Sequence, residues 1–448
     1  MSEPIVLLCD NKRRDLPGLA LIAHHLEAQG KRVFVEPIEA WRSVVAAHRP
    51  AVILFNHLLA THLADYSERL ASMGVKVAVL PNESLLYNPD VMRFNSRRYK
   101  ENANVDMYFC WNDHQRNALL ENGYDEARTE IVVGGNPKFD FHFTPWNKLY
   151  APRKDRFAGQ RPIVLFCSNF CLAHFENLPP EKADKFFDIW KKHIPLYADY
   201  RGAIAANHRA RGRAMGLLRT VAEADKYSLI VRPHPNESEE FYRDWLHSLP
   251  RSIQNHVRIA RNDSIYSLTQ ECDLEISCET CTTAVESWLC RKPTIELIFE
   301  KHPMFYHDAV RGLNCECESA DDIVRLIEKQ IASPGQMEYA QKRERHLTDW
   351  CASPDGNAAR TIADALARLA DTAKPVFSSL TLGERRRGFK LRGLALFGKP
   401  CNYNPFLALK AALAPQRYEL RVKTFEKTAT PNDIETARRR IRELSASA

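Results

Sequence analysis

Short apolar runs with the composition of buried strands recur along the chain, and stretches of helical spacing separate them. "PIVLLCD", "RVFVEP", "AVILFNH", "KVAVLPNE", "VDMYFCWND" and "EIVVGGNP" form a first series, with "LPGLALIAHHLEAQG", closing at Gly30, carrying the helical period between the first two. "PIVLFCSNF", "YSLIVRPHP", "HVRIAR", "CDLEISCE" and "PTIELIFE" form a second, with helices such as that around "FYRDWLHSL" between them. Apolar strands alternating with helices require parallel sheets covered on both faces, because each crossover lays a helix on the sheet. The expected architecture is α/β: two tandem Rossmann-like doubly wound parallel-sheet domains with a cleft between them. Residues 1–150 form the first and 151–375 the second, joined through "TPWNKLYAPRKDRFAGQRP".

The remaining residues, 376–448, read differently. They hold 15 Lys/Arg against 6 Asp/Glu, whereas the rest of the chain holds 48 against 50, so the tail carries the whole net charge of +7. Apolar and aromatic residues interleave with the cations in "SLTLGERRRGFKLRGLALFGKPCNYNPFLALKAAL", and "TPNDIETARRRIREL" has the acidic first turn of a capped helix. A basic helical extension of this kind implies an anionic surface as partner, with lipid headgroups preferred and nucleic acid not expected. No run of about 18 apolar residues occurs, so no helix is expected to span a bilayer. The N-terminus lacks the basic–apolar–small order of a signal peptide, and a cytoplasmic protein, peripheral at the inner membrane face, is the expectation. The twelve cysteines are then free thiols. Cys278-x-x-Cys281 and Cys315-x-Cys317 each offer half a zinc site, but no second pair stands at a familiar spacing, and no metal is expected.

Open α/β sheets bind ligands beyond the carboxyl ends of their strands. There the second series holds Arg232-Pro233-His234-Pro235, followed by Glu237. The flanking prolines hold His234 in an extended backbone, and an arginine with a histidine makes a phosphate clamp. "ISCETCTTAVES" places Ser277, Thr280, Thr282 and Thr283 where a strand gives way to a helix, a natural anion cradle, with Glu286 one turn in as acceptor from a ribose or base. Asn169 follows the first strand of this series. In the first series, Gly135 and Asn136 lie in a tight turn, and Glu83 follows a strand as a candidate acceptor-side carboxylate. Gly-x-Gly-x-x-Gly and the P-loop pattern are both absent, which lowers the weight of hydride transfer on NAD and of P-loop NTP hydrolysis.

"LLCDNKRRDLPGLALIAHHLEAQGKRVFVEP", "IVVGGNPKFD", "VLFCSNF", "IVRPHPNE" and "ISCETCTTAVESWLCRKPTI" stand in the order seen in bacterial surface-carbohydrate biosynthesis proteins, and over about residues 5–300 the chain resembles that family. The family is similar to glycosyltransferases of the GT-B fold, including Kdo transferases of capsule and O-antigen synthesis. The His-Pro pair is also similar to that of bacterial sialyltransferases, where the histidine contacts the phosphate of a CMP-sugar. The resemblance implies a phosphate-contacting role for His234 and a nucleotide-binding role for Ser277–Thr283 and Glu286. One departure is Cys278-Glu279-Thr280, where the family more often has a glycine in the turn.

The function expected is transfer of an acidic sugar, Kdo or another nonulosonate, from a CMP-sugar donor to a glycan or lipid-linked acceptor, without metal or cofactor. Arg232 and His234 would meet the charge on the departing phosphate, and Glu83 or Asp199 would serve as base or nucleophile. A CDP-glycerol glycerophosphotransferase, a UDP-sugar epimerase and a non-catalytic scaffold of a polysaccharide assembly complex are the alternatives.

Overall fold

The computed structural model describes residues 3–98, 103–151, 157, 161–279, 281–333, 337–352 and 354–447. These divide into two compact units: Met1–Ser84 with Asn95–Leu149 and Thr348–Ala448, and Leu85–Phe94 with Tyr150–Leu347.

The first unit is built on six parallel strands: β1 (Ile5–Cys9), β2 (Val33–Pro37), β3 (Val52–Phe55), β4 (Lys76–Val79), β5 (Met107–Cys110) and β6 (Glu130–Val133), in the order β2-β1-β3-β4-β5-β6. The interior strands β1, β3 and β5 are buried at every residue. The edge strand β2 alternates buried with half-buried positions, and the opposite edge, β6, exposes Glu130. That is the pattern a doubly covered sheet imposes: continuous apolar runs inside, mixed character at the rims.

The chain returns to this unit at its end. The helix Ala358–Thr372 and the terminal helix Pro431–Ser447 both pack on the helix Leu16–Ala28. Asp140 accepts hydrogen bonds from Ala358 N (3.1 Å) and Ala359 N (2.8 Å), so a side chain more than 200 residues away caps the helix start. Gly135, at φ +73°, lets the chain pass so close that a Cβ would lie 3.0 Å from the Cys351 carbonyl oxygen. The expected boundary near residue 375 therefore lies at Thr348, and the basic extension is layered on the first unit. The reason is the apolar stripe Ile362, Ala363, Leu366 and Leu369 of the helix Ala358–Thr372, which is buried here.

The second unit has strands β7 (Ile163–Cys167), β8 (Ser228–Arg232), β9 (Val257–Ile259), β10 (Leu274–Cys278), β11 (Thr294–Leu297) and β12 (Cys315–Cys317), all parallel, in the order β12-β11-β10-β7-β8-β9. The 24-residue helix Tyr200–Glu223 packs Ala210, Ala214, Leu217 and Val221 into one core with Val164, Phe166, Val231 and Ile276. Leu85–Phe94 also belongs to this unit, although it lies among the first series of strands. The Tyr87 hydroxyl is 3.1 Å from His346 Nε2, and the Phe94 ring lies 5.2 Å from that of Trp190. Cys315 and Cys317 turn out to be buried core positions of an edge strand. Among the described residues, no group of three or more His, Cys, Asp or Glu is placed to hold a metal.

Candidate functional site

In the second sheet, β8 and β9 lie on one side of β7 and β10 to β12 on the other. The connections leaving β7 and β10 diverge, and a crevice opens at the carboxyl ends of the strands. The residues after β7, β8 and β10 are knitted together at this edge.

His234 is the centre of the knot. Its backbone N–H donates to Ser168 Oγ (3.0 Å), which ties the β8 loop to the end of β7. The Asn236 N–H donates to His234 Nδ1 (3.1 Å), and the Cys171 thiol lies 2.9 Å from the same nitrogen. With Nδ1 held as an acceptor, the neutral ring carries its proton on Nε2. Burial, with a smaller contribution from the Arg232 guanidinium, lowers the His234 pKa to about 4, so the ring is neutral at pH 7 and Nε2–H is a hydrogen-bond donor. The Cys171 thiol is pushed up by burial and stays protonated.

Glu237, expected to touch nucleotide, is instead a buried strut. It accepts from Ser168 Oγ (2.7 Å), from Phe170 N (3.0 Å) and from the Tyr242 hydroxyl, so both oxygens are occupied. Pro235 is exposed, and its carbonyl, like that of Glu237, is held by Arg261 (3.0 Å each). The loop that follows β8 is thus fixed from behind.

Asn169 donates to the Glu279 carbonyl (3.1 Å), joining the β7 loop to the end of β10. Glu279 has φ +53°, a left-handed conformation that costs a side-chain-bearing residue about 1–2 kcal/mol. A glycine would take this position without strain, which explains the departure from the glycine-bearing pattern in chemical terms: a carboxylate stands where the backbone prefers none. Asn207 Nδ2 grips Glu279 Oε2, and Oε1 is buried without a hydrogen-bond partner. Burial, reinforced by Glu296, Glu237 and Glu300, raises the Glu279 pKa well above the usual carboxylate range. Sequence reasoning passed over this residue. The signal available was the missing glycine itself.

The strands themselves carry a second set. In-register pairing puts Arg232 beside Cys167, and alternation along β10 puts Glu275 and Ser277 on the same side. Arg232 Nε and Ser277 Oγ are buried without partners. Thr283 donates its hydroxyl to Glu275 Oε1 (2.7 Å), and burial raises the Glu275 pKa to about 7. Thr283 therefore turns back toward the strand. Thr282 precedes the helix Thr283–Leu289 without a side-chain cap, and that helix has only 7 residues, a weaker dipole than the expected cradle needs. Glu286 is buried within it. Thr280 lies outside the described residues. Within the hydroxyl-rich stretch, Thr283 thus orders Glu275, and Ser277 is buried in the strand.

Beyond Glu279 a cleft of about 700 Å³ opens, walled by Trp288, Phe299 and Tyr306 and bearing Glu279, Glu296, Glu300 and Arg311. Glu300 is held by Arg209 (2.8 Å), which keeps its carboxyl below the usual range. Aromatic walls with several carboxylates suit a flat base and hydroxyl donors.

The remaining expected residues take other duties. Asp199 caps the helix Tyr200–Glu223 through Gly202 N (3.1 Å), stands 3.4 Å from His302 Nε2, and is largely exposed. Glu83 belongs to the first unit, where it pairs with Arg14 (3.3 Å) from an exposed position. Asn136 accepts from Lys138 N (2.9 Å) as the cap of a short turn of helix. Arg14, Asp15, Asn56, Asn82, Asn136 and Lys138 line a separate cavity of about 470 Å³ at the carboxyl ends of β1, β3 and β4.

No family model matches this chain, and no curated protein matches it. Solved structures do. A protein described as a UDP-N-acetylglucosamine 2-epimerase from Listeria monocytogenes aligns over 84% of this chain and 99% of its own, with a TM-score of 0.50 and 12% identity. The wall teichoic acid polymerase TagF, in a structure soaked with CDPG, aligns over 82% of this chain and 89% of its own, with a TM-score of 0.50 and 10% identity. The fold is GT-B-like. At these identities the likeness concerns the fold, and the chemistry rests on the residues at the strand ends.

Proposed function

We propose that the chain is a nucleotide-sugar-dependent glycosyltransferase of surface-polysaccharide synthesis whose donor phosphate sits against His234 and Arg232. The observation that carries this reading is the state of His234: its Nδ1 is closed by a backbone donor, and its Nε2–H has no partner among the described residues. Arg232 Nε, buried and without an acceptor, lies close enough to depress the histidine's pKa. Two donors with nothing to bind form a site that an anion completes.

In the transfer step the acceptor hydroxyl attacks the anomeric carbon, the glycosidic bond to phosphate breaks, and the nucleotide leaves with the bonding pair. Arg232 and His234 Nε2–H would meet the charge that builds on the phosphate. We assign the hydroxyl proton to Glu279 rather than to Glu83 or Asp199, because Glu279 is tied through Asn169 to the histidine loop and its buried Oε1 has no hydrogen-bond partner. Direct attack with a base inverts the anomeric centre. The acceptor in this reading is a glycan or a lipid-linked glycan.

A CMP-linked acidic sugar remains the first donor to test, with its carboxylate toward Arg232 and away from Glu279 and Glu296. The clustering of carboxylates in one cleft favours a second reading, UDP-sugar epimerisation, in which such groups flank the sugar and no acceptor is required. TagF, with its CDPG, makes a CDP-linked donor a third ligand to include.

The test is a thermal-shift titration with CMP, UDP, CDP and GDP, on the parent chain and on His234→Ala. A ligand that binds only the folded state raises its apparent stability. Stabilisation by CMP that disappears in the variant is the expected result. Stabilisation by UDP alone transfers the assignment to the epimerase reading, and no stabilisation by any of the four overturns the site.

A further inference from the structure

Twelve large hydrophobic side chains stand exposed among the described residues, and nine of them fall between Val376 and Leu420. A monomer scatters such residues singly; a cluster in a tenth of the chain marks a surface that something covers. The helix Leu382–Leu396 shows how the cluster is arranged. Glu384, Gly388 and Leu391 are its buried stripe, docked on the helix Val44–His48 so closely that a Cβ on Gly388 would lie 2.8 Å from Ala46. Leu382, Phe389 and Leu396, spaced by sevens, share the opposite side and are 67%, 81% and 86% exposed. Arg385, Arg386, Lys390 and Arg392, all exposed, flank that outer stripe. The helix therefore has two apolar faces, and the fold uses one.

The next helix, Leu407–Leu413, has the sequence LALKAAL and buries none of its residues. With Phe406, Leu409 and Leu413 exposed, no core explains its composition. Residues 376–427 contain 11 Lys/Arg and 3 Asp/Glu, and one of those acids, Glu384, is buried in a capping box with Thr381. Among the described residues, no helix is long and apolar enough to cross a membrane.

We propose that residues 382–427 dock the protein onto an anionic lipid bilayer, with Leu382, Phe389, Leu396, Phe397, Phe406 and Leu413 entering the boundary between headgroups and acyl chains and the surrounding cations lying among the lipid phosphates. Charge selects this occupant. A second copy of the chain would place the same cations against each other across a two-fold interface. A nucleic acid would engage the cations and leave the phenylalanine and leucine side chains in water. A bilayer surface with anionic lipid satisfies both at once. This inference is independent of the nucleotide reading.

The experiment is flotation of the full chain with phosphatidylcholine vesicles, with and without phosphatidylglycerol. The parent chain floats with the anionic vesicles only, and added salt weakens but does not abolish binding, because the apolar contribution is not screened. Replacing Arg386, Arg387 and Lys390 by Ser lowers the partition coefficient about a hundredfold. Replacing Leu396 and Phe397 by Ser lowers it more than tenfold. Both sets are exposed, so an unchanged unfolding temperature and an unchanged nucleotide response establish that the variants remain folded. Failure of the parent chain to float with anionic vesicles overturns the proposal, as does undiminished binding by both variants. Concentration-dependent dimerisation lost in the Leu396/Phe397 variant, with no flotation, reassigns the surface to a second copy and equally overturns it.

Discussion

The two sheets of this protein share an architecture and differ in what they leave unfinished. Each has six parallel strands covered by helices, and each has a point where the strand order reverses, between β1 and β3 in one and between β7 and β10 in the other. At the first of these points the charged groups satisfy one another, since Arg14 is bound by Asp10, Asp15 and Glu83 and Asn136 caps a turn, and the atom left buried without a partner is the neutral amide oxygen Asn56 Oδ1. At the second, Arg232 Nε, Ser277 Oγ and Glu279 Oε1 are buried without partners, and Glu279 is held in a strained backbone. Equal folds thus carry unequal sites. Buried polar atoms lacking partners are costly, and a group of them at one strand edge calls for a physical reason.

The contrast breaks first at His234. Its replacement by Ala is expected to lower turnover by about 10²–10³, the effect of losing one preorganised donor to a developing anion, with the fold intact. Steady-state kinetics alongside thermal unfolding checks this, and the matching change in the first unit, Asn56→Ala, leaves the nucleotide-induced shift in place. A next test concerns the strut behind the loop. Glu237→Ala strands Ser168, the Phe170 N–H and Tyr242 in a buried setting, at a cost of about 3 kcal/mol in denaturant unfolding. A loss below about 1 kcal/mol would mean that the loop does not depend on this carboxylate. In the first unit, Asp140→Ala removes a cap rather than a network, and about 1–2 kcal/mol is expected.

Glu279→Gly separates strain from function. Relief of the left-handed conformation offsets loss of the Asn207 contact, so stability should stay within about 1 kcal/mol of the parent, while turnover collapses if Glu279 accepts the acceptor's proton. Retained turnover removes that role. A further pair of tests concerns pH dependence. The His234 pKa of about 4 lies below that of the unfolded chain. Between the usual histidine value and pH 4 the unfolded state takes up a proton that the folded state refuses, and stability falls as pH falls across that window. Glu275, raised to about 7, works in the other sense: the folded state keeps a proton that the unfolded chain gives up, and stability falls as pH rises from the usual glutamate range through 7. Stability curves of His234→Gln and Glu275→Gln should each flatten in the corresponding window. A variant whose curve overlays the parent refutes the assignment for that residue.

Local pattern carried the strands and their ends. Runs such as "IVLLC" and "SLIVR" are buried strands because continuous apolar residues suit only a doubly covered sheet, and the residues that follow them necessarily reach the carboxyl edge. That logic puts Arg232, His234 and Asn169 at this edge, where the structure has them. Composition likewise exposed the basic tail, since charge adds up without regard to folding. What the chain did with the groups so delivered was settled by contacts between distant residues. Glu237 became a strut because Ser168 and Tyr242 close around it, and Thr283 turned to Glu275 because a buried carboxylate needs a donor. Leu85–Phe94 and the helix Ala358–Thr372 joined units that their place in the sequence does not predict, because an apolar face packs wherever a complementary face is available. The importance of Glu279 emerged only from its backbone angle and its neighbours, which no local pattern specifies. Periodicity and composition are properties of neighbours in the chain; burial, strain and the pairing of polar atoms are properties of neighbours in space, and the site is made of the second kind.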